Sequence, residues 1–150
     1  MPLIHRFLIV DDNADARSLL TRTLIRKFPQ SIASECGDAN TAILIARSEK
    51  LTAIVVHRAG EVTGLELIPL LRKVAPTVPL VYVSGIDRSQ AAIKAGATAF
   101  LNYDAWLGLG TLIAGLIEGP QTSTPSGSPL PPPAQPPQPL SGPTPASVSR

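Results

Sequence analysis

Two aspartates, Asp11 and Asp12, follow directly on the apolar run Phe7-Leu8-Ile9-Val10, and His57 and Arg58 follow directly on Ala53-Ile54-Val55-Val56. Short apolar runs rich in β-branched residues suit strands buried on both faces of a parallel sheet, and such a sheet places its chemistry at the carboxyl ends of its strands. Adjacent carboxylates at a strand end repel one another and need a cation, either a hard divalent ion or a neighbouring basic side chain. From Lys50 through Gly60 there is no acid, so the second strand end offers His57 and Arg58 and no carboxylate. Ser84 closes a further apolar run, Leu80 to Val83. The chain has no metal-ligand Cys/His spacing, nucleophile elbow or phosphate-cradling glycine loop.

The elements that must position these residues alternate regularly. Phe7 to Val10 reads as a first strand. Asp12 or Asn13 then caps a helix whose Leu19, Leu20, Thr23, Leu24 and Lys27 recur at helical spacing until Pro29. Ile32 to Cys36 is a shorter, more polar strand suited to a sheet edge. Gly37-Asp38 opens a second helix with Ala39, Ala42, Ile43, Ala46 and Arg47 along one face. Ala53 to Val56 is the third strand, and Leu65, Leu67, Ile68, Leu71 and Arg72 mark a third helix that ends before Pro76 and Pro79. A fourth strand runs from Leu80 to Ser84. A short helix from Ser89 to Ala95 is closed by Gly96, and Thr98 to Asn102 is the fifth strand. Asp104 is expected to cap a last helix that carries Trp106, Leu109, Leu112, Ile113, Leu116 and Ile117 on one side.

Five strands alternating with five helices through short connections predict a doubly wound α/β domain over residues 1–118, its strands joined by right-handed crossovers. Beyond it the composition changes: 11 of the 16 prolines lie between Gly119 and Arg150, and Arg150 is the only charge there. Such a segment cannot bury enough apolar surface to offset its ordering entropy, so 119–150 is expected to be a disordered tail of polyproline II character. Its PxxP spacings, in Pro129 to Pro133 and Pro136 to Pro139, lack a flanking basic residue to orient a partner. A net charge of +2 with dispersed basic residues gives nucleic acid or an anionic membrane little to hold. The single cysteine, Cys36, excludes an intramolecular disulfide and fits a reducing compartment. No stretch reads as a signal peptide or membrane span, so a cytoplasmic protein is expected.

The run from Leu8 to Arg17, followed by five alternating units, resembles a bacterial response-regulator receiver domain. Gly64 to Ile68 is similar to that family's glycine-opened third helix, Val81 to Gly85 to its fourth strand with a terminal Ser/Thr, and Ala95 to Leu101 to its fifth strand after Gly-Ala. The resemblance implies a flavodoxin-like five-stranded parallel sheet of order 2-1-3-4-5. It also implies a chemistry: an acidic pair and an aspartate ending strand three hold Mg²⁺, that aspartate takes a phosphoryl group, and a Ser/Thr and a Lys grip the product. Carried over, Asp11 and Asp12 are the acidic pocket and metal ligands, Ser84 the phosphate ligand, and Phe100 the aromatic that swings on activation.

Two positions depart from the pattern. Counting back from Gly64, the acceptor position falls on Val56, or on His57 if the loop is one residue short, and Glu61 is the nearest downstream acid. The lysine position falls on Tyr103, and Asp104 stands where a proline would follow. A degenerate receiver is therefore expected, with no enzymatic activity, no bound cofactor and at most weak Mg²⁺ binding at Asp11 and Asp12. His57 or Arg58 would supply the cation that the acid pair needs, because carboxylates beside an imidazole favour its charged form. The expected function is a phosphorylation-independent signalling module that binds a histidine kinase or another response regulator, with the last helix as a site for homodimers. Alternatives are a phosphorelay receiver modified at His57 and a small-ligand binder on the same strand ends.

Overall fold

The computed structural model describes residues 4–60 and 62–122. Five strands alternate with five α-helices: β1 (Arg6–Val10), α1 (Ala14–Lys27), β2 (Ile32–Cys36), α2 (Ala39–Ser48), β3 (Ala53–Val56), α3 (Gly64–Val74), β4 (Leu80–Ser84), α4 (Ser89–Ala95), β5 (Ala99–Asn102) and α5 (Leu109–Thr122). A 3₁₀ helix, Tyr103–Gly108, lies between β5 and α5. The strands form one sheet in the order β2-β1-β3-β4-β5, every pair parallel. This is the doubly wound, flavodoxin-like arrangement expected from the sequence.

Side chains of successive strand residues point to opposite faces, and both faces are apolar here. Leu8, Val10, Ile54, Val56, Leu80 and Tyr82 face a layer built from Ala42, Ala46, Leu67, Ile68 and Leu71 of α2 and α3, with Ala92 of α4. Phe7, Ile9, Ala53, Val55, Val81 and Val83 face Leu20 and Leu24 of α1 and Leu109 and Ile113 of α5. All four β3 residues are fully buried, as a central strand covered on both faces requires. Each large aliphatic side chain so buried contributes on the order of 1.5–3 kcal/mol.

The caps follow residue chemistry. Asn13 caps α1 by accepting from the Ala16 N–H, Asp38 caps α2 through Thr41, and Thr63 with Glu66 forms a capping box on α3. Gly96, at φ 122°, ends α4 where a side chain would be strained.

Two expectations need correction. Asp104 does not cap the last α-helix: Asn102 caps the 3₁₀ helix by accepting from the Asp104 N–H, and α5 begins only at Leu109. Trp106 therefore lies on the 3₁₀ helix. The single long helix expected here breaks because Ala105 leaves helical φ/ψ, and Gly108 and Gly110 weaken helical continuation. Phe100 is half-buried at the sheet edge, packed against the layer of α2 and α3, and on α1 Leu20, Thr23 and Leu24 carry the buried face while Lys27 is exposed. The helix α5 runs to Thr122. The proline-rich tail with its PxxP spacings, from Ser123 on, and Glu61 lie outside the described residues.

Candidate functional site

Parallel pairing carries the register past the strand ends. Val10 stands opposite Val56, and the His57 N–H donates to the Val10 carbonyl at 2.9 Å. Val56 is thus a fully buried strand residue, and His57 is the first side chain free to turn over the carboxyl edge, beside Asp11. The two meet: His57 Nδ1 lies 2.8 Å from Asp11 Oδ2, with the Asp11 side chain fully buried and that of His57 12 % exposed. Asp11 Oδ1 accepts from the Asn13 N–H at 3.0 Å. Arg17 steadies the same turn, donating from Nη1 to the Asp11 carbonyl at 2.8 Å while its Nε pairs with Glu35 at 3.0 Å.

The acid pair is divided between two basic residues. Asp12 points outward, its Oδ1 3.6 Å from Arg58 Nε and its Oδ2 accepting from the Gly60 N–H at 3.3 Å. Asp11 turns inward to the imidazole. These residues do not fit a divalent ion of the kind that takes several hard oxygens. Both Asp11 oxygens are engaged, the third strand end supplies nitrogen, and no group of three His, Cys, Asp or Glu suited to a metal occurs among the described residues.

Tyr103 stacks on His57, ring centroids 5.0 Å apart and planes 17° from parallel. Ser84 is buried, and its hydroxyl oxygen accepts from the Ile86 N–H at 3.2 Å, closing the turn after β4. Phe100 packs its ring 6.1 Å from that of Tyr82. Just beyond, Asp87 accepts from both the N–H and the hydroxyl of Ser89, which hold its carboxyl below the ordinary range. An open cleft of about 900 Å³ lies over the strand ends, lined by Asp12, His57, Arg58, Tyr82, Ser84 and Tyr103 among others. It sits over the ends of the neighbouring strands β1 and β3, where the strand order reverses, the crevice in which open α/β sheets hold ligands.

The structure thus brings Asp11, His57 and Tyr103 into contact, leaves Ser84 in its own turn, and puts Phe100 beside Tyr82 and outside the cleft lining. Two contributors are hard to see in the sequence. Gly64 looks like a helix opener, yet a Cβ there would stand 2.5 Å from both the His57 carbonyl oxygen and Tyr82 Cε1. Tyr82 reads as one apolar residue among four. The available signal was its position two before Ser84, which puts both on one face of β4.

No family model matches the sequence. The chain is 32% identical over 103 residues to the nitrogen assimilation regulatory protein NtrX of Azorhizobium caulinodans, a match covering 66% of this chain and 23% of that protein. It is 34% identical over 101 residues to the photosynthetic apparatus regulatory protein RegA of Rhodovulum sulfidophilum, covering 65% of this chain and 55% of that one. The chain therefore spans between about a quarter and about half of these relatives. A CheY-like response regulator receiver domain protein from Methanospirillum hungatei superposes with a TM-score of 0.66 at 18% identity, over 79% of this chain and 98% of that one. The described part of this chain thus has the fold of a CheY-like receiver domain, and its sequence is similar to stretches of these two regulatory proteins.

Proposed function

We propose that this chain is a response-regulator receiver domain that signals without an aspartyl phosphate, by docking onto proteins of a two-component system such as a histidine kinase or another response regulator. The observation that carries the reading is the 2.8 Å contact of His57 Nδ1 with Asp11 Oδ2. It puts an imidazole at the end of β3 and engages the carboxylate that would otherwise face a metal. Tyr103, a phenol stacked on that imidazole, supplies no cation for a bound phosphoryl group. What remains for communication is surface, in particular the side formed by α4, β5 and α5, with α5 a candidate for self-association. Cytoplasmic residence follows from the same reading.

Incubation with a small phosphoryl donor such as acetyl phosphate and Mg²⁺, read by intact mass, tests it. The unmodified mass is expected for the parent chain. It is expected also for His57→Asp, because Tyr103 still leaves the product charge without a partner. Stoichiometric addition of one phosphoryl group to the parent would overturn the proposal. It would favour a second reading, transfer to His57, whose Nδ1 is oriented by Asp11 and whose other ring nitrogen has no hydrogen bond among the described residues.

A further inference from the structure

In the sheet order β2-β1-β3-β4-β5, β3 and β5 are not neighbours, because β4 lies between them. A connection between their ends must pass over the carboxyl end of β4. The His57 and Tyr103 rings make that connection at 5.0 Å, nearly parallel. Asp11 extends it to β1 through the 2.8 Å contact with Nδ1 on the ring's edge. One continuous row of side chains therefore roofs four adjacent strands, from the end of β1 to the start of the 3₁₀ helix.

We propose that this row is a strut that sets the conformation of the 3₁₀ helix Tyr103–Gly108 and so links the cleft to the surface beside α5. Apart from Trp106, which is half-buried against the core layer of Leu20, Leu24 and Ile113, the 3₁₀ helix has few contacts that fix its backbone. Ala105 is outside helical geometry, and none of the six residues is fully buried. Its capping contacts are the Asn102 side chain accepting from the Asp104 N–H at 2.9 Å and the Leu109 N–H bonding to the Trp106 carbonyl. Thr23 of α1 reaches the Leu107 carbonyl at a long 3.4 Å. Poor intrinsic geometry makes such a turn a responsive element unless something fixes one end. Tyr103, its first residue, is the end that is fixed.

The other end of the strut is equally well anchored. Asp11 is fully buried and hydrogen-bonded on both oxygens, so the imidazole is held by a group that cannot itself move aside. His57 and Tyr103 both line the cleft. A molecule or partner side chain that enters the cleft and displaces either ring thus acts on Trp106, three residues along. Leu107, largely exposed on the same helix, would move with it. The inference stands on ring geometry and is independent of whether the chain accepts a phosphoryl group.

Trp106 is the only tryptophan, so its emission reports the 3₁₀ helix alone. The test compares the full chain with Tyr103→Phe, Tyr103→Leu and His57→Gln, each first shown to be folded by its cooperative melt. Phenylalanine keeps the stack; leucine removes it. Glutamine keeps an amide donor for Asp11 and removes the ring. The expected result is a shifted Trp106 emission in Tyr103→Leu and His57→Gln, with the Asp104 and Leu109 amides exchanging about 2- to 10-fold faster, the range that the worth of one aromatic pair allows. Tyr103→Phe should match the parent, and the α2 amides should be unchanged throughout. Parent-like emission and exchange in both Tyr103→Leu and His57→Gln would overturn the strut. Loss in Tyr103→Phe equal to that in Tyr103→Leu would overturn it too, by assigning the effect to the hydroxyl.

Discussion

Replacing His57 by alanine leaves the Asp11 carboxylate fully buried with nothing opposite Oδ2. Removing one partner of a buried ionisable pair costs about 3–5 kcal/mol, because the other stays in a poorly solvating interior. Asp11→Ala removes the demanding group itself. It forfeits the bonds to the Asn13 N–H and to His57, at about 1.5–3 kcal/mol in total. The double variant should cost about as much as Asp11→Ala alone, so the two losses are strongly non-additive. Urea denaturation measures this. With a slope near 2 kcal/mol per molar, His57→Ala should lower the midpoint by about 1.5–2.5 M, and the double variant should recover part of that loss. A His57→Ala midpoint within about 0.5 M of the parent, or losses that simply add, would refute the claim that the carboxylate depends on the imidazole.

Three further outcomes are expected. Gly64→Ala should lower stability by about 1–3 kcal/mol in a thermal melt, since its Cβ would meet the His57 carbonyl oxygen and Tyr82, and the first of these is backbone that cannot swing away. The Cys36 thiol, pushed up to about 11 chiefly by burial, should react with a thiol reagent at pH 7–8 only slowly in the native chain and rapidly once unfolded. Asp38 and Asp87 are held below the ordinary carboxylate range, chiefly by the N–H and hydroxyl of Thr41 and Ser89 respectively. Because their folded values are depressed, their contribution is present above the unfolded value and lost as pH falls through the folded one. Asp38→Asn should therefore flatten the acid limb of a stability-against-pH curve, and an unchanged limb would show that the cap carries no such linkage.

Much of the fold was legible in the residues themselves. The apolar runs ending at Val10, Val56 and Ser84, the cap residues Asn13 and Asp38, and Gly96 after Ala95 are local signals, and each does locally what its chemistry dictates. The break at Ala105 was not legible. A helical apolar pattern from Trp106 to Ile117 contains no mark of where one helical geometry gives way to another, and propensity around Gly108 and Gly110 is too weak to fix it.

The sequence by itself determined the inventory of the site: two acids at one strand end, a histidine and an arginine at another, a tyrosine after the fifth. It left open whether Val56 or His57 held the decisive place, and whether His57 or Arg58 answered the acids. Register decided the first, since pairing Val10 with Val56 buries that valine and turns His57 over the edge. Burial decided the second: the dry Asp11 took the compact imidazole, and the exposed Asp12 took the long guanidinium. The stack of His57 on Tyr103 joins residues whose strands never touch. Such contact depends on how the sheet brings its ends together in space, and spacing along the chain carries no trace of it.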